Sequence, residues 1–182
     1  KLLDNPTVIE SHIEQKKENG VKTLDNLFDT HAVFDIPIYK LINLVLDLEN
    51  EQNVFPRMIY TRVLNPSASL WSPHLQMVKT QFSLGRLVQD YHYIFYKIPE
   101  LRDDGSFLIK WNLHESIDSK FDYIFGSWFM KEISFNGKNY TYVRNYAHYG
   151  MINYPPYVLL GMKLWGKKDS KGFFEALLAA AE

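Results

Sequence analysis

The sequence predicts an α+β fold in which a mainly antiparallel sheet is closed by one apolar C-terminal helix. Two features indicate this fold. Asn136-Gly137 lies between two aromatic, strand-like runs, and Asn-Gly in that setting favours a type I′ hairpin turn, because both of its central residues need a positive φ. Tyr154-Pro155-Pro156-Tyr157 follows. Proline cannot donate to a strand ladder but suits the first turn of a helix, so the sheet should end here and a helix should begin.

The N-terminal elements are predicted to be a helix and a strand. Asn5-Pro6 fits an N-cap followed by proline at the first helical position, and Asn19-Gly20 fits a helix stop. These signals predict a polar helix over about residues 6–19 with a thin apolar face. From Val21 to Phe34, apolar and polar residues roughly alternate, which is typical of a half-buried strand.

Two short helices are predicted next. Asp35-Ile36-Pro37 opens the first of them. Its apolar residues recur at helical spacing, so one face should be buried; they are Ile38, Leu41, Ile42, Val45 and Leu46. The polar run from Asp47 to Gln52 interrupts this stripe ahead of Pro56, which indicates a second short helix.

Six further strands and a closing helix complete the pattern. Turn residues separate the strands, which are predicted over Met58–Leu64, Leu75–Leu84, Val88–Ile98, Phe107–His114, Ile124–Phe135 and Tyr140–Tyr149. Consecutive strands with short turns imply a mainly antiparallel sheet of seven strands. The apolar helical region from Val158 is interrupted by a polar stretch, Gly166 to Gly172, which predicts one kinked helix or two short ones.

Composition limits the classes of partner. The 182 residues are 46% hydrophobic and carry a formal charge of −1, with Lys and Arg scattered along the chain. This argues against nucleic acid and against a polybasic membrane patch, while transient membrane contact stays compatible with the sequence. No apolar run reaches the roughly 20 residues that span a bilayer. The chain begins at Lys1 and not at Met, which favours an exported protein, periplasmic or secreted, over a cytoplasmic one.

No motif for metal, nucleotide or nucleophilic chemistry is recognisable. The sequence has no cysteine, and its six histidines lack any ligand-pair spacing. Ser127 of Gly126-Ser127-Trp128 lies within a predicted strand and not at a nucleophile elbow before a helix. Walker and Rossmann glycine patterns do not occur. We therefore expect no metal, no cofactor and no catalytic residue of these types.

Strand alternation predicts which side chains line an interior. The residues expected to face inward are Phe107, Ile109, Trp111 and Leu113 on one strand, and Trp128 and Met130 on the next.

The last strand has two possible phases. In one, the inner face carries Tyr140, Tyr142, Arg144, Tyr146 and His148; in the other, it carries Thr141, Val143, Asn145 and Ala147. The first phase would bury Arg144, which would then need a carboxylate or an anionic ligand group, whereas the second makes it a surface arginine. Tyr142 and Arg144 of the first phase, together with Tyr157 of the closing helix, complete the set of predicted ligand contacts.

This order of elements resembles the helix-grip fold of the START and Bet v 1-like superfamily, including its polyketide-cyclase-like members. The segments that carry the resemblance are Phe34-Asp35-Ile36-Pro37, Gly126-Ser127-Trp128, the Gly137-Lys138 turn and Tyr154-Pro155-Pro156-Tyr157-Val158. The resemblance implies a seven-stranded curved sheet wrapped around a long C-terminal helix, with two short helices after strand one and a hydrophobic cavity inside. Residues 1–20 would be a helical appendage, and 21–182 the ligand-binding domain.

Families of this fold bind lipids, sterols, quinones or plant hormones, and a minority are aromatases and cyclases. The resemblance therefore implies a carrier or sensor of a hydrophobic small molecule. Two other hypotheses remain open at this point. One is a cyclase or aromatase that uses His114, Arg144 or a tyrosine as proton donor, and the other is an interaction module whose cavity is filled by side chains. We expect the cavity to open at Pro37–Phe55 and Gly166–Gly172, where polar residues and glycines interrupt apolar stripes.

Overall fold

An antiparallel sheet and one long helix form most of the protein. The computed structural model describes residues 2–3, 5–66 and 69–182. In chain order the elements are β1 Thr7–Glu18, β2 Val21–Phe34, α1 Ile38–Leu46, α2 Glu51–Val54, β3 Met58–Val63, β4 His74–Leu84, β5 Leu87–Leu101, β6 Phe107–Ser116, β7 Phe121–Phe135, β8 Lys138–Ile152 and α3 Pro156–Ala181. The eight strands form one sheet in the order β1-β2-β8-β7-β6-β5-β4-β3.

The sheet is built from hairpins, except where β8 returns to pair with β2. All neighbouring strands are antiparallel. Asn136-Gly137 forms the β7–β8 turn with φ values of 51° and 74°, as the sequence predicts. Helices α1 and α2 lie between β2 and β3, which agrees with the two predicted short helices. The outcome is the expected α+β architecture with a C-terminal helix.

Helix α3 packs its apolar side against the inner face of the sheet. Phe174 lies at the centre of this contact, with ring centroids 6.2 Å from Phe34 and 5.2 Å from Trp128. Alternate residues of the strands point toward the helix and form the sheet's part of this contact, in which Met130 and Val143 are fully buried. The core of the protein therefore lies between sheet and helix.

The predicted N-terminal helix is wrong, because residues 7–18 form strand β1. Asn19-Gly20 is a hairpin turn with φ values of 49° and 82°, and not a helix stop. Strand β1 pairs with β2 from Thr7 to Glu18 and packs Ile13 against the core. The sheet therefore has eight strands, one more than predicted. The assignment of residues 21–182 as the ligand-binding domain stays a prediction.

Of the two alternatives predicted for the C-terminal region, two short helices is wrong, since α3 is one helix that continues through Gly166–Gly172. Gly166 is buried, and a Cβ atom there would lie 2.8 Å from Phe28 Cζ. The absence of a side chain at Gly166 therefore lets α3 pack closely against Phe28 of β2. Strand β5 also continues beyond its predicted end at Ile98, since it runs through Pro99 to Leu101 in register with β6.

Candidate ligand-binding cavity

A cavity of about 260 Å³ lies between the sheet, helix α3 and the segment that joins α2 to β3. Its walls are mainly aromatic and aliphatic. Phe55 lies between Trp128 and Phe173, with ring centroids 5.9 and 5.5 Å away. The other apolar side chains of the wall are Phe28, Met58, Phe82, Tyr91, Tyr93, Phe95, Trp111, Phe121, Ile124, Ala147, Tyr149, Met151 and Met162.

A buried ion pair forms part of this wall. Lys97 Nζ lies 2.7 Å from Glu51 Oε1 and 2.9 Å from Glu51 Oε2, and the two residues are only 5% and 2% exposed. Gln76 Nε2 donates to Glu51 Oε2 at 2.6 Å. Burying an unpaired charge costs much free energy, because the charge loses its hydration. The contacts between the Lys97 ammonium, the Glu51 carboxylate and Gln76 offset this cost.

Short polar contacts fix the helix that carries Glu51. Gln76 Nε2 also donates to the Leu48 carbonyl at 2.6 Å. Thr61 Oγ1 donates to the Glu49 carbonyl at 2.9 Å, and the Thr61 amide donates to Gln52 Oε1 at 2.8 Å. These bonds tie α2 and the residues just before it to β3 and β4. Helix α2 therefore has a fixed position relative to the sheet, although it is only four residues long.

A second ion pair lies at the edge of the cavity. Arg57 Nη2 is 2.8 Å from Asp169 Oδ2 of α3, and the Arg57 guanidinium lies 4.9 Å above the Phe82 ring. A surface recess lined by residues of the β4–β5 turn shares Arg57 and Asp169 with the cavity. We call the site formed by Arg57, Phe82 and Asp169 the mouth.

The tyrosines of the cavity are poor proton donors at neutral pH. Burial raises the hydroxyl pKa of Tyr91 and Tyr93 well above the ordinary value, and it raises the pKa of Tyr149 to about 12. The neutral phenol is thus the stable form of each. These groups can donate hydrogen bonds to a ligand, but losing the proton is disfavoured.

Strand β8 takes the second of its two predicted phases. Asn145 and Ala147 face the cavity, whereas Tyr142 and Arg144 lie on the outer face of the sheet, so their prediction as cavity residues is wrong. The carboxylate partner of Arg144 is Asp29, whose two oxygens accept at 2.7 Å each. Tyr142 contacts His31 through a 2.5 Å hydrogen bond. The ion pair and the hydrogen bond on the outer face stabilise this phase of β8.

The other predicted contacts are divided between cavity and core. Trp111 and Trp128 line the cavity. Phe107, Ile109 and Met130 are buried in the core away from the cavity wall, and Leu113 packs on that core.

Tyr157, also predicted as a contact, lies near the mouth. Its ring stacks on Phe82 with the centroids 6.5 Å apart, and its hydroxyl donates to the Val88 carbonyl at 3.3 Å. Whether any of the predicted residues binds a ligand stays a prediction.

Sequence reasoning missed the wall contributed by β5. Tyr91, Tyr93, Phe95 and Lys97 occupy alternate positions and all line the cavity. The period-two aromatic pattern was available in the sequence and would have identified three of them. Lys97 gave no such signal, because its carboxylate partner, Glu51, is 46 residues away in the chain.

Two kinds of feature are absent from the described part of the chain. Within residues 2–3, 5–66 and 69–182, no group of three or more His, Asp or Glu side chains is arranged to hold a metal ion. Over the same residues, no helix has the length and apolar character needed to cross a bilayer.

Solved structures with the same architecture are found over nearly the whole chain. A STAR-related lipid transfer protein from Xanthomonas axonopodis matches with a TM-score of 0.65 at 12% identity, covering 93% of this chain and 97% of that one. Human StAR-related lipid transfer protein 5 matches with a TM-score of 0.64 at 10% identity, covering 96% and 88%. The chain has the START/Bet v 1-like helix-grip fold. No family model and no curated protein sequence matches it.

The same fold also relates the chain to an enzyme. The Zhui aromatase/cyclase from a Streptomyces species matches with a TM-score of 0.62 at 9% identity, covering 86% of this chain and 93% of that one. The solved structures that share this fold therefore include both lipid transfer proteins and an aromatase/cyclase. At these identities the likeness establishes the fold alone, and function has to be argued from the cavity.

Proposed function

We propose that the protein binds a hydrophobic small molecule in the helix-grip cavity and acts as a carrier or sensor. The observation that carries this proposal is the cavity of about 260 Å³ with its aromatic wall and its buried Glu51–Lys97 pair. Apolar burial contributes about 25 cal/mol per Å², so such a wall can supply affinity without a reaction. Among lipids, sterols, quinones and polyketide-like molecules, the volume favours slender ones, because ligand pockets commonly span about 300–1,000 Å³.

Two rival functions receive less support. A cyclase or aromatase needs a proton donor in the cavity, yet His114 is exposed and Arg144 is paired with Asp29 on the outer face. The remaining candidates are tyrosines with raised pKa values. An interaction module with a filled core has no need of a cavity this large. No cofactor and no nucleic acid is part of the proposal.

Ligand delivery from a membrane surface is part of the proposal. Leu160 and Leu164 of α3 are more than half exposed, and Lys163, Lys167 and Lys168 are exposed on the same helix. Apolar side chains beside cations suit anionic lipid headgroups. L160S/L164S should therefore weaken sedimentation with phosphatidylserine-containing vesicles. F135S, which alters an exposed apolar residue of the β7–β8 hairpin, should leave it unchanged, and equal losses in both variants would reject this docking surface.

The cavity itself is tested by filling it. Ala147 lines the cavity, so A147F should occupy part of its volume, whereas A180F changes an exposed position of α3. Thermal unfolding with and without dodecanol should show stabilisation of the wild type and of A180F, and little or none of A147F, since only folded protein with an open cavity binds. Calorimetric titration of the same samples supplies the affinities. Equal stabilisation of A147F would overturn the proposal, as would binding only of sugar phosphates.

A further inference from the structure

The hydroxyl of Tyr91 is buried in the cavity wall. Tyr91 is 4% exposed, and its Oη atom has no hydrogen-bond partner among the described residues. The side chain lines the cavity and packs its ring 5.3 Å from that of Phe121. An unpaired buried hydroxyl is unfavourable, and most such groups in folded proteins have a partner.

Tyr91 lies far from the Glu51–Lys97 pair. Alternate residues of a strand face the same side, so Tyr91 and Lys97, six positions apart on β5, both point toward the cavity. At about 3.3 Å per residue, their backbone positions are separated by about 20 Å. The strand register agrees, since Tyr91 is opposite Thr80 and Lys97 is opposite His74, at the start of β4. Tyr91 and Lys97 thus lie toward opposite ends of a mainly apolar cavity, whose wall also carries the polar residues Arg57, Thr80, Gln81, Asn145, Asp169 and Ser170.

Each end can donate a hydrogen bond. The Tyr91 phenol stays protonated because burial raises its pKa. Lys97 has three N–H donors, and the described bonds of its ammonium go to the two oxygens of Glu51 alone. Since Glu51 already neutralises Lys97, neither end favours a charged ligand group. The complementary ligand has a neutral oxygen acceptor at each end.

We propose that the Tyr91 hydroxyl is a second ligand-anchoring group, and that the cavity takes elongated neutral molecules with a hydroxyl or carbonyl oxygen at both ends of an apolar body. This inference rests on the proposed function and specifies the class of ligand. A ligand with one polar head bound at Lys97 would leave the Tyr91 hydroxyl unpaired. A ligand with two would satisfy both ends at once.

The test is a thermodynamic cycle between one hydroxyl of the protein and one of the ligand. Dodecanol and dodecanediol differ by the second hydroxyl, and wild type and Y91F differ by the phenolic one. Calorimetry should show that Y91F lowers the affinity for dodecanediol relative to dodecanol by about five- to tenfold, the worth of one hydrogen bond. Y154F is the matched control. Tyr154 also has a buried Oη without a described partner, but it does not line the cavity, so the affinity ratio should not change.

The wild type alone gives a second measurement that does not depend on how Y91F folds. In the series decanediol, dodecanediol, tetradecanediol and hexadecanediol, the affinity relative to the matching monoalcohol should peak at one chain length, because both ends must reach their anchors. An unchanged ratio in Y91F, or a ratio independent of chain length, overturns the inference while the proposed function stands. Failure of every alcohol and diol to bind the wild type overturns the proposed function itself.

Discussion

At the scale of single residues, the Glu51–Lys97 pair is the least expected feature of an apolar cavity. A buried ion pair adds little net stability over apolar residues of similar size, because desolvation offsets the attraction between the charges. We expect its role in the wall to be the hydrogen-bond donor that Lys97 offers to the proposed ligand. The sequence could not reveal it, since nothing local to Glu51 or Lys97 indicates that helix α2 brings them together.

Removing one member of this pair should destabilise the protein strongly. E51Q leaves the ammonium without its counter-charge, and K97M leaves the carboxylate without one; each should lower the free energy of unfolding by about 3–5 kcal/mol. The double variant E51L/K97M should recover much of that loss, because no unpaired charge remains. Urea unfolding measures all three. Single variants within about 1 kcal/mol of the wild type would contradict the buried pair.

Acid should weaken a contact on the outer face of the sheet. Burial alone would raise the pKa of Asp25, but hydrogen bonds from His148 and Tyr123 outweigh it and lower that pKa below the ordinary value of 3.8. A carboxyl group whose pKa is lower in the folded state than in the unfolded state stabilises the fold at pH values above its unfolded-state pKa. This stabilisation is lost as the pH falls through the folded-state pKa. D25N should therefore reduce stability at pH 7 and flatten its decline below about pH 4. Urea unfolding midpoints measured across this pH range give the change of stability with pH. The same change in D25N as in the wild type would count against the contact of Asp25 with His148 and Tyr123.

At the scale of elements, the two Asn-Gly pairs explain both a success and an error. Asn136-Gly137 is recognisable as a hairpin turn because long aromatic runs flank it. Asn19-Gly20 has the same backbone geometry, with φ values of 49° and 82°, but the run before it is polar and follows Asn5-Pro6. Strand β1 is an edge strand that buries little, so its sequence lacks the apolar alternation on which strand prediction depends.

Two glycines of α3 provide a matched test of helix packing. Alanine normally stabilises a helix interior by about 1 kcal/mol over glycine. G172A should show this gain, because the added Cβ would have no atom within 4 Å apart from its chain neighbours and the adjoining backbone of its own helix. G166A should instead lose stability, because its Cβ would lie 2.8 Å from Phe28 Cζ. Thermal unfolding of both variants measures the difference, and a gain in G166A would show that α3 is not packed as described.

The cavity is predicted to open between two elements of the fold. The prediction that it opens at Pro37–Phe55 and Gly166–Gly172 remains untested. The mouth lies beside both segments, since Arg57 follows the first and Asp169 belongs to the second. Hydrogen exchange should be faster in these segments than in Phe121–Tyr149, and dodecanol should slow it there. Uniform exchange that a bound ligand does not alter would reject this gate.

At the scale of the whole molecule, the order of elements is sufficient to predict an α+β fold with an antiparallel sheet and a C-terminal helix, but not strand β1 or most of the cavity wall. Trp111 and Trp128 were found from alternation alone. The phase of β8 could not be derived from its own sequence, because tyrosines on one face and small residues on the other suit either side of a sheet. The pairing of Arg144 with Asp29 decides it, and that contact spans 115 residues.

The central claim is that this cavity holds a hydrophobic small molecule. Native mass spectrometry of the protein purified from its own source, with extraction of any bound compound, tests it most directly. We predict a recurring adduct with an apolar body and few polar atoms, present in A180F and reduced in A147F. Recovery of a highly charged sugar phosphate, or of the same adduct at equal occupancy in A147F, would contradict the claim.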